Sequence, residues 1–235
     1  MTALSIAGDD GRVEWEPVGD TDRDGLNVAL NEATWFGLNL DVQARRASLL
    51  LSVLSLPADG PAPANTPVIV TLEGVSRVAA SLRNGWWNEE DAEVVPLGLE
   101  DLETVVRSFG GCQIYGWEFL DPPEESWAYW QRRCSLDVQF GEQASPHVVE
   151  VFQAGGAPDR HLDLRVWFNR IAIGTREGRQ ITLVDFIAGG LRWWDALAAG
   201  DPRTHGAGIY PVRTRRLSRW KHLRSRIWGA PRSRP

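Results

Sequence analysis

The string Asp20-Thr21-Asp22-Arg23-Asp24-Gly25 sets carboxylates at alternate positions ahead of a glycine. That is the first half of a calcium loop: alternate oxygens face one hard cation and glycine makes the sharp turn. The twelfth position is Asn31, where a bidentate glutamate belongs; Glu32 stands one step on, and Arg23 puts a positive charge inside the loop. Asp20, Asp22 and Asp24 are therefore a partial ligand set for calcium, with a solvated acidic turn as the simpler expectation. No other cofactor is implied. The four histidines, His147, His161, His205 and His222, lie at least 14 residues apart, and none sits in a zinc spacing. His147 and His161 open corresponding strands and are expected to be strand-end neighbours. No nucleophile elbow, P-loop, dinucleotide fingerprint or H-E-x-x-H occurs. Cys134 has no identifiable base, and Asp121, Glu124 and Glu125 surround Pro122-Pro123 at a helix start, where carboxylates favour the helix dipole. The expectation is binding rather than catalysis, although a site assembled from distant residues leaves no string.

Tryptophan is the compositional outlier, with 12 in 235 residues. Two adjacent pairs occur, Trp86-Trp87 and Trp193-Trp194. Neighbouring residues of a strand or helix cannot share a face. One member of each pair is expected in the core, leaving the other to anchor a sugar ring or a protein partner. Trp127, Tyr129 and Trp130 on a short helix pose the same question. The candidate binding residues are thus Trp86, Trp87, Trp193, Trp194, Trp127 and Trp130.

Charge is strongly asymmetric. Residues 213–235 carry 9 basic and no acidic side chains, whereas residues 1–212 carry 16 basic and 31 acidic ones. The net charge of −6 therefore hides a body at −15 and a tail at +9, a cue for an interaction tail. A helix from Arg213 to Trp228 would gather Leu217, Trp220, Leu223, Ile227 and Trp228 on one arc. Arg215, Arg219, His222 and Arg226 would lie opposite. That pattern suits an anionic membrane surface, nucleic-acid phosphates or an acidic groove, the chain's own body included. Arg215, Arg219, Trp220, Arg226 and Trp228 are the tail's candidate contacts.

The elements that must position these residues form an α+β protein with a mainly antiparallel β core. Two β-β-β-α units are expected, at about 36–111 and 134–200, within one domain spanning 1–205, followed by the basic tail 206–235. The tetrapeptide Leu-Asp-Val-Gln occurs at Leu40 and again at Leu136, and internal similarity of this kind suggests a repeat. In unit one, alternation at Leu38, Leu40 and Val42 marks a strand, and Ser48 to Leu56 marks another. A Pro/Ala loop follows. Val68 to Leu82 then reads as one long strand bent at Gly74, and Leu99 to Phe109 as a helix. In unit two, Ser135 to Phe140 and His147 to Gln153 are strands, and His161 to Thr175 is a long alternating one. A helix with Thr182 as N-cap closes the unit. Its Gly189-Gly190 pair is expensive in a helix and implies close approach of another element. The N-terminal 35 residues are expected to add strands, such as Val13 to Val18. No stretch approaches a membrane span and the N-terminus lacks a signal-peptide pattern. Residence is expected to be cytoplasmic, with Cys112 and Cys134 as free thiols.

The run from Phe36 to Leu82, ending Val70-Thr71-Leu72-Glu73-Gly74-Val75, resembles bacterial immunity proteins of polymorphic toxin systems. Ile114-Tyr115-Gly116-Trp117-Glu118-Phe119 and Gly190-Leu191-Arg192-Trp193-Trp194 resemble segments of actinobacterial proteins of no assigned activity. The immunity likeness implies a stoichiometric inhibitor with no catalysis and carries no site residues. The function expected is an acidic-bodied binding protein for a basic toxin. The alternatives are an accessory protein recruited through its basic tail to membrane or nucleic acid, and a Trp-lined carbohydrate-binding protein or hydrolase.

Overall fold

The computed structural model describes residues 13–63, 66–86, 89, 91–111, 113–120, 127–155, 159–207 and 209. The basic tail helix falls outside them, as do Trp87, Cys112 and the acids at 121–125. The architecture is α+β, two antiparallel sheets with helices packed on them. The first sheet runs in the order β1 (Thr34–Asp41), β2 (Arg46–Ser52), β3 (Pro67–Glu73), β10 (Arg170–Thr175), β11 (Gln180–Ile181). The second runs β5 (Glu93–Val94), β4 (Arg77–Asn84), β9 (Arg160–Phe168), β8 (His147–Gly155), β6 (Ile114–Leu120), with β7 (Leu136–Gln139) also paired to β4.

Each long strand read from the sequence breaks into two, and the halves belong to different sheets. β3 passes to β4 through Gly74, whose φ of +67° suits glycine. A side chain there would strike Asn169, the single residue between β9 and β10. β3 pairs with β10 and β4 with β9, so the two strands cross from sheet to sheet together. The inner faces then meet in one core: Leu49, Leu51, Val70 and Leu72 from the first sheet, Val78, Leu82, Val151 and Leu164 from the second. Burying such side chains contributes roughly 1.5–3 kcal/mol each and fixes which face of every strand points inward.

Three expectations are corrected. Residues Asp20–Ala29 are a helix, α1, rather than a turn or loop. Gly19 donates its N–H to Asp22 Oδ2 at 2.8 Å, and Asp20 lies near Arg23 at 4.0 Å. Acids in a first turn favour the helix dipole. On a helix Asp20 and Asp24 share a face while Asp22 points away, so the three do not surround one point. Among the described residues ahead of α1, Glu16 alone makes a bridge, to Ile171. Second, the two tetrapeptides are not equivalent: Leu40 is the last residue but one of β1, which pairs with β2, whereas Leu136 opens β7, which pairs with β4. Third, His147 faces Phe168 and His161 faces Ala154 across β8–β9, so the two sit at opposite ends of that hairpin.

The helices differ in the two halves. Leu99 begins a single 3-10 turn leading into α2 (Leu102–Ser108), which packs on β1. α4 (Leu183–Ala199) is longer; Thr182 Oγ1 caps it by accepting the Asp185 N–H at 3.1 Å. α4 packs on α1 through the glycines flagged by the sequence: Gly190 lies against Ala29, and Gly25 of α1 lies against Ile187.

Candidate functional site

Strand β9 alternates as a half-buried strand should, with Leu162, Leu164, Val166 and Phe168 in the core. Its other face holds His161, Asp163, Arg165 and Trp167, and these too are buried. Register builds a grid on that outer face. Arg77, Ala79, Ser81 and Arg83 of β4 stand opposite Trp167, Arg165, Asp163 and His161. On the other side Val148, Glu150 and Phe152 of β8 stand opposite Trp167, Arg165 and Asp163. Directly opposed residues bring their Cβ atoms to about 4.5–5.5 Å.

In one half of the grid both arginines are matched, although the buried Trp130 Nε1 has no hydrogen-bond partner among the described residues. α3 (Trp127–Gln131) lies over that half, with the Trp127 and Trp130 rings stacked at 5.3 Å and Trp127 edge-on to Trp167 at 5.7 Å. Arg165 donates to Glu150 Oε2 from Nε at 2.7 Å and Nη2 at 2.6 Å, its guanidinium 4.5 Å from the Trp130 ring. Arg77 makes a forked pair with Asp137 at 2.7 and 2.6 Å and lies 4.3 Å from Trp127 and 4.9 Å from Trp167. Forked pairs with stacking are what arginine supplies and lysine does not.

The other half is not matched. Ser81, His161 and Asp163 are each 1% exposed and Arg83 3%. Arg83 Nη2 donates to Asp163 Oδ2 at 3.0 Å. Arg83 Nε and Nη1, Asp163 Oδ1, His161 Nε2 and Ser81 Oγ have no hydrogen-bond partner among the described residues. His161 Nδ1 lies 3.2 Å from the Gly85 carbonyl oxygen. A carbonyl only accepts, so Nδ1 carries the proton and Nε2 keeps its lone pair. Burial lowers the His161 pKa to about 4, with the Arg83 and Arg133 charges acting the same way, so the ring is neutral near pH 7. Burial pushes the Asp163 carboxyl up, against the pull of Arg83, Arg165 and Arg133. An unpaired buried polar group costs roughly 1–3 kcal/mol, and native proteins hold few of them.

Of the residues singled out in the sequence, Trp127 and Trp130 cover this face, and Trp86 lies just past its end, 59% exposed. Trp193 is buried. Trp194 is half-buried, edge-on to Trp193 at 4.9 Å, and donates its Nε1–H to the Val28 carbonyl at 3.0 Å. That pair belongs to α4 and the first sheet, so the tryptophans do not form one face. Cys134 is a free thiol lying 2.8 Å from the Leu136 carbonyl oxygen, and burial pushes its pKa up. Among the described residues no group of three or more His, Cys, Asp or Glu side chains could hold a metal ion, and no helix is long and apolar enough to cross a membrane. Sequence reasoning missed Ser81, Arg83, His161 and Asp163. The available signal was β9 itself, where every polar position is His, Asp or Arg.

No family model, curated protein or solved structure matches the chain.

Proposed function

We propose that the protein is a cytoplasmic, non-catalytic binding protein whose acidic body receives a basic protein partner, as an immunity-type inhibitor receives a toxin. The observation that carries this reading is the charge of −15 over residues 1–212. Exposed Glu89, Asp91, Glu93, Glu100 and Asp101 concentrate part of it in a short stretch ahead of α2. Such a field steers a basic partner and selects against acidic ones. The chemistry-bearing groups also favour binding over catalysis. The Cys134 thiol is pushed up by burial rather than activated. The halves read as one unit laid down twice, supported by the matching orders β2-β3-β10-β11 and β8-β9-β4-β5.

The test is co-expression with the product of an adjoining toxin-like gene. A one-to-one complex is expected, weakening as salt rises and unchanged by deleting residues 213–235. A second reading rests on the tail's +9 charge: recruitment to anionic membrane or nucleic acid through Arg215, Arg219, Trp220, Arg226 and Trp228. If the deletion abolishes binding and the full chain binds anionic vesicles or nucleic acid, recruitment replaces inhibition.

A further inference from the structure

We infer that Ser81, Arg83, His161 and Asp163 on the outer face of the second sheet form a site for a small neutral hydroxylic ligand, a polyol or sugar. The inference does not rest on the charge reading above, although the site adjoins that acidic stretch, with Val94 and Glu93 of β5 opposite Arg83 and Asn84. The four residues are adjacent positions of one two-stranded ladder, Ser81 opposite Asp163 and Arg83 opposite His161. All are more than nine-tenths buried, and each keeps at least one polar atom without a hydrogen-bond partner among the described residues.

The unmatched atoms specify the ligand's chemistry. Arg83 Nε and Nη1 are donors only, whereas His161 Nε2 and Asp163 Oδ1 are acceptors for a donated hydrogen. A carboxylate or a fully ionised phosphate satisfies Arg83 but brings lone pairs against His161 and Asp163. An ammonium or guanidinium compound satisfies the acceptors but meets the charges of Arg83 and Arg133. A hydroxyl accepts from arginine and donates to imidazole or carboxylate through one oxygen, and neighbouring hydroxyls on a polyol do so in series. Ser81 completes the set, since its hydroxyl works either way. Trp86, two residues past the end of β4 and 59% exposed, is the side chain we assign to the apolar face of the ligand. Gly85, whose carbonyl faces His161 Nδ1, is the immediate neighbour of Trp86, held by its own N–H to the Asp159 carbonyl at 2.8 Å. An aromatic face beside a polar cluster suits the two-sided character of a sugar ring.

The full chain is titrated with glycerol, myo-inositol, D-glucose and N-acetyl-D-glucosamine by calorimetry and saturation-transfer NMR, with acetate and phosphate as controls. At least one neutral compound is expected to bind with a Kd of about 1 mM or tighter. S81A is expected to weaken it about ten-fold, the scale of one lost hydrogen bond in a buried polar site. W86A changes an exposed side chain and should weaken ring compounds more than glycerol. Because S81A and W86A are mild, folding of both is checked by circular dichroism. Binding of acetate or phosphate without any polyol overturns the proposal. So does polyol binding indifferent to both substitutions, which places the ligand elsewhere. Failure of every neutral probe, with only ordered water at the four side chains in a crystal structure, also overturns it.

Discussion

Replacing Gly190 by alanine tests how α1 and α4 are held together. Alanine is the better helix former, by about 1 kcal/mol, so an isolated helix would gain. In the fold the added Cβ would meet the Ala29 Cα at 2.5 Å, its Cβ at 2.6 Å and its backbone nitrogen at 3.4 Å. Ordinary contacts begin near 3.4 Å, so the nearest overlap is about 0.9 Å, against backbone that cannot rotate away. Over-packing costs about 1–3 kcal/mol, and rigid backbone places this case at the upper end. Less the propensity gain, G190A should lose about 2 kcal/mol. Gly189 is the internal control. Its Cβ would strike the Ser55 hydroxyl, the free end of a side chain, while the Leu56 carbonyl oxygen stays 3.7 Å away. Rotation of Ser55 relieves that clash, so G189A should be neutral or gain up to about 1 kcal/mol. Urea unfolding followed by far-ultraviolet dichroism reads both, with midpoints compared at constant slope. The G190A melting temperature should fall by roughly 4–8 °C. G190A as stable as the parent, or G189A the more damaging of the two, refutes close helix contact as the reason glycine stands at 190.

R77K keeps the charge but loses the fork to Asp137 and the stacking on Trp127 and Trp167. It should destabilise by about 1–2 kcal/mol and raise acrylamide quenching of tryptophan fluorescence as α3 loosens. Unchanged quenching would show that α3 is held by other contacts. The His161 imidazole, followed by proton NMR, should remain neutral until about pH 4. Between the ordinary value near 6.5 and about 4 the unfolded chain binds this proton and the folded one does not. The stabilisation is therefore complete above 6.5 and lost as pH falls, by up to about 3 kcal/mol. A midpoint near 6.5 would mean that the ring is solvated.

Much of the fold was readable in the sequence, and the exceptions share a cause. α4 declared itself through Thr182, apolar spacing and a glycine pair that only close packing could excuse. β1 followed from alternation and β2 from an apolar run. The long strands were found as strands, but periodicity records which face is apolar and not which sheet a residue joins; the crossing at Gly74 and Asn169 appears only when β3 finds β10. α1 was missed because aspartates and Gly25 are poor helix formers, and it is held by Gly25 and Ala29 meeting Ile187 and Gly190 of α4. The repeated tetrapeptide did not fix strand partners, because four residues cannot specify one: Leu40 lies in a strand paired with β2 and Leu136 in one paired with β4. The outer face was invisible for a similar reason. His161, Asp163 and Arg165 at alternate positions look like the wet side of a sheet. What buries Arg165 includes Trp130, which lies 35 residues earlier in the chain.

The two halves of that outer face serve as controls for each other. Both involve strands β4 and β9, and both bury an arginine against a carboxylate, Arg165 on Glu150 in one and Arg83 on Asp163 in the other. Near α3, Arg165 and Arg77 each place two nitrogens on one carboxylate and lie against indole rings. Four residues along the same ladder, Arg83 makes a single contact with Asp163, and a neutral imidazole and a serine hydroxyl beside it each keep an unmatched atom. Poor packing of the sheet as a whole would leave both halves loose, yet in one both arginines are matched. A need for buried charge alone would be met by a second forked pair, since an aspartate already stands beside the arginine. The residues chosen instead divide donors from acceptors and leave them in excess at one end of the grid, where an exposed tryptophan adjoins. That division is costly within the chain and is met by a group that carries both functions on one atom. It is why the inference falls on hydroxyl chemistry rather than on charge.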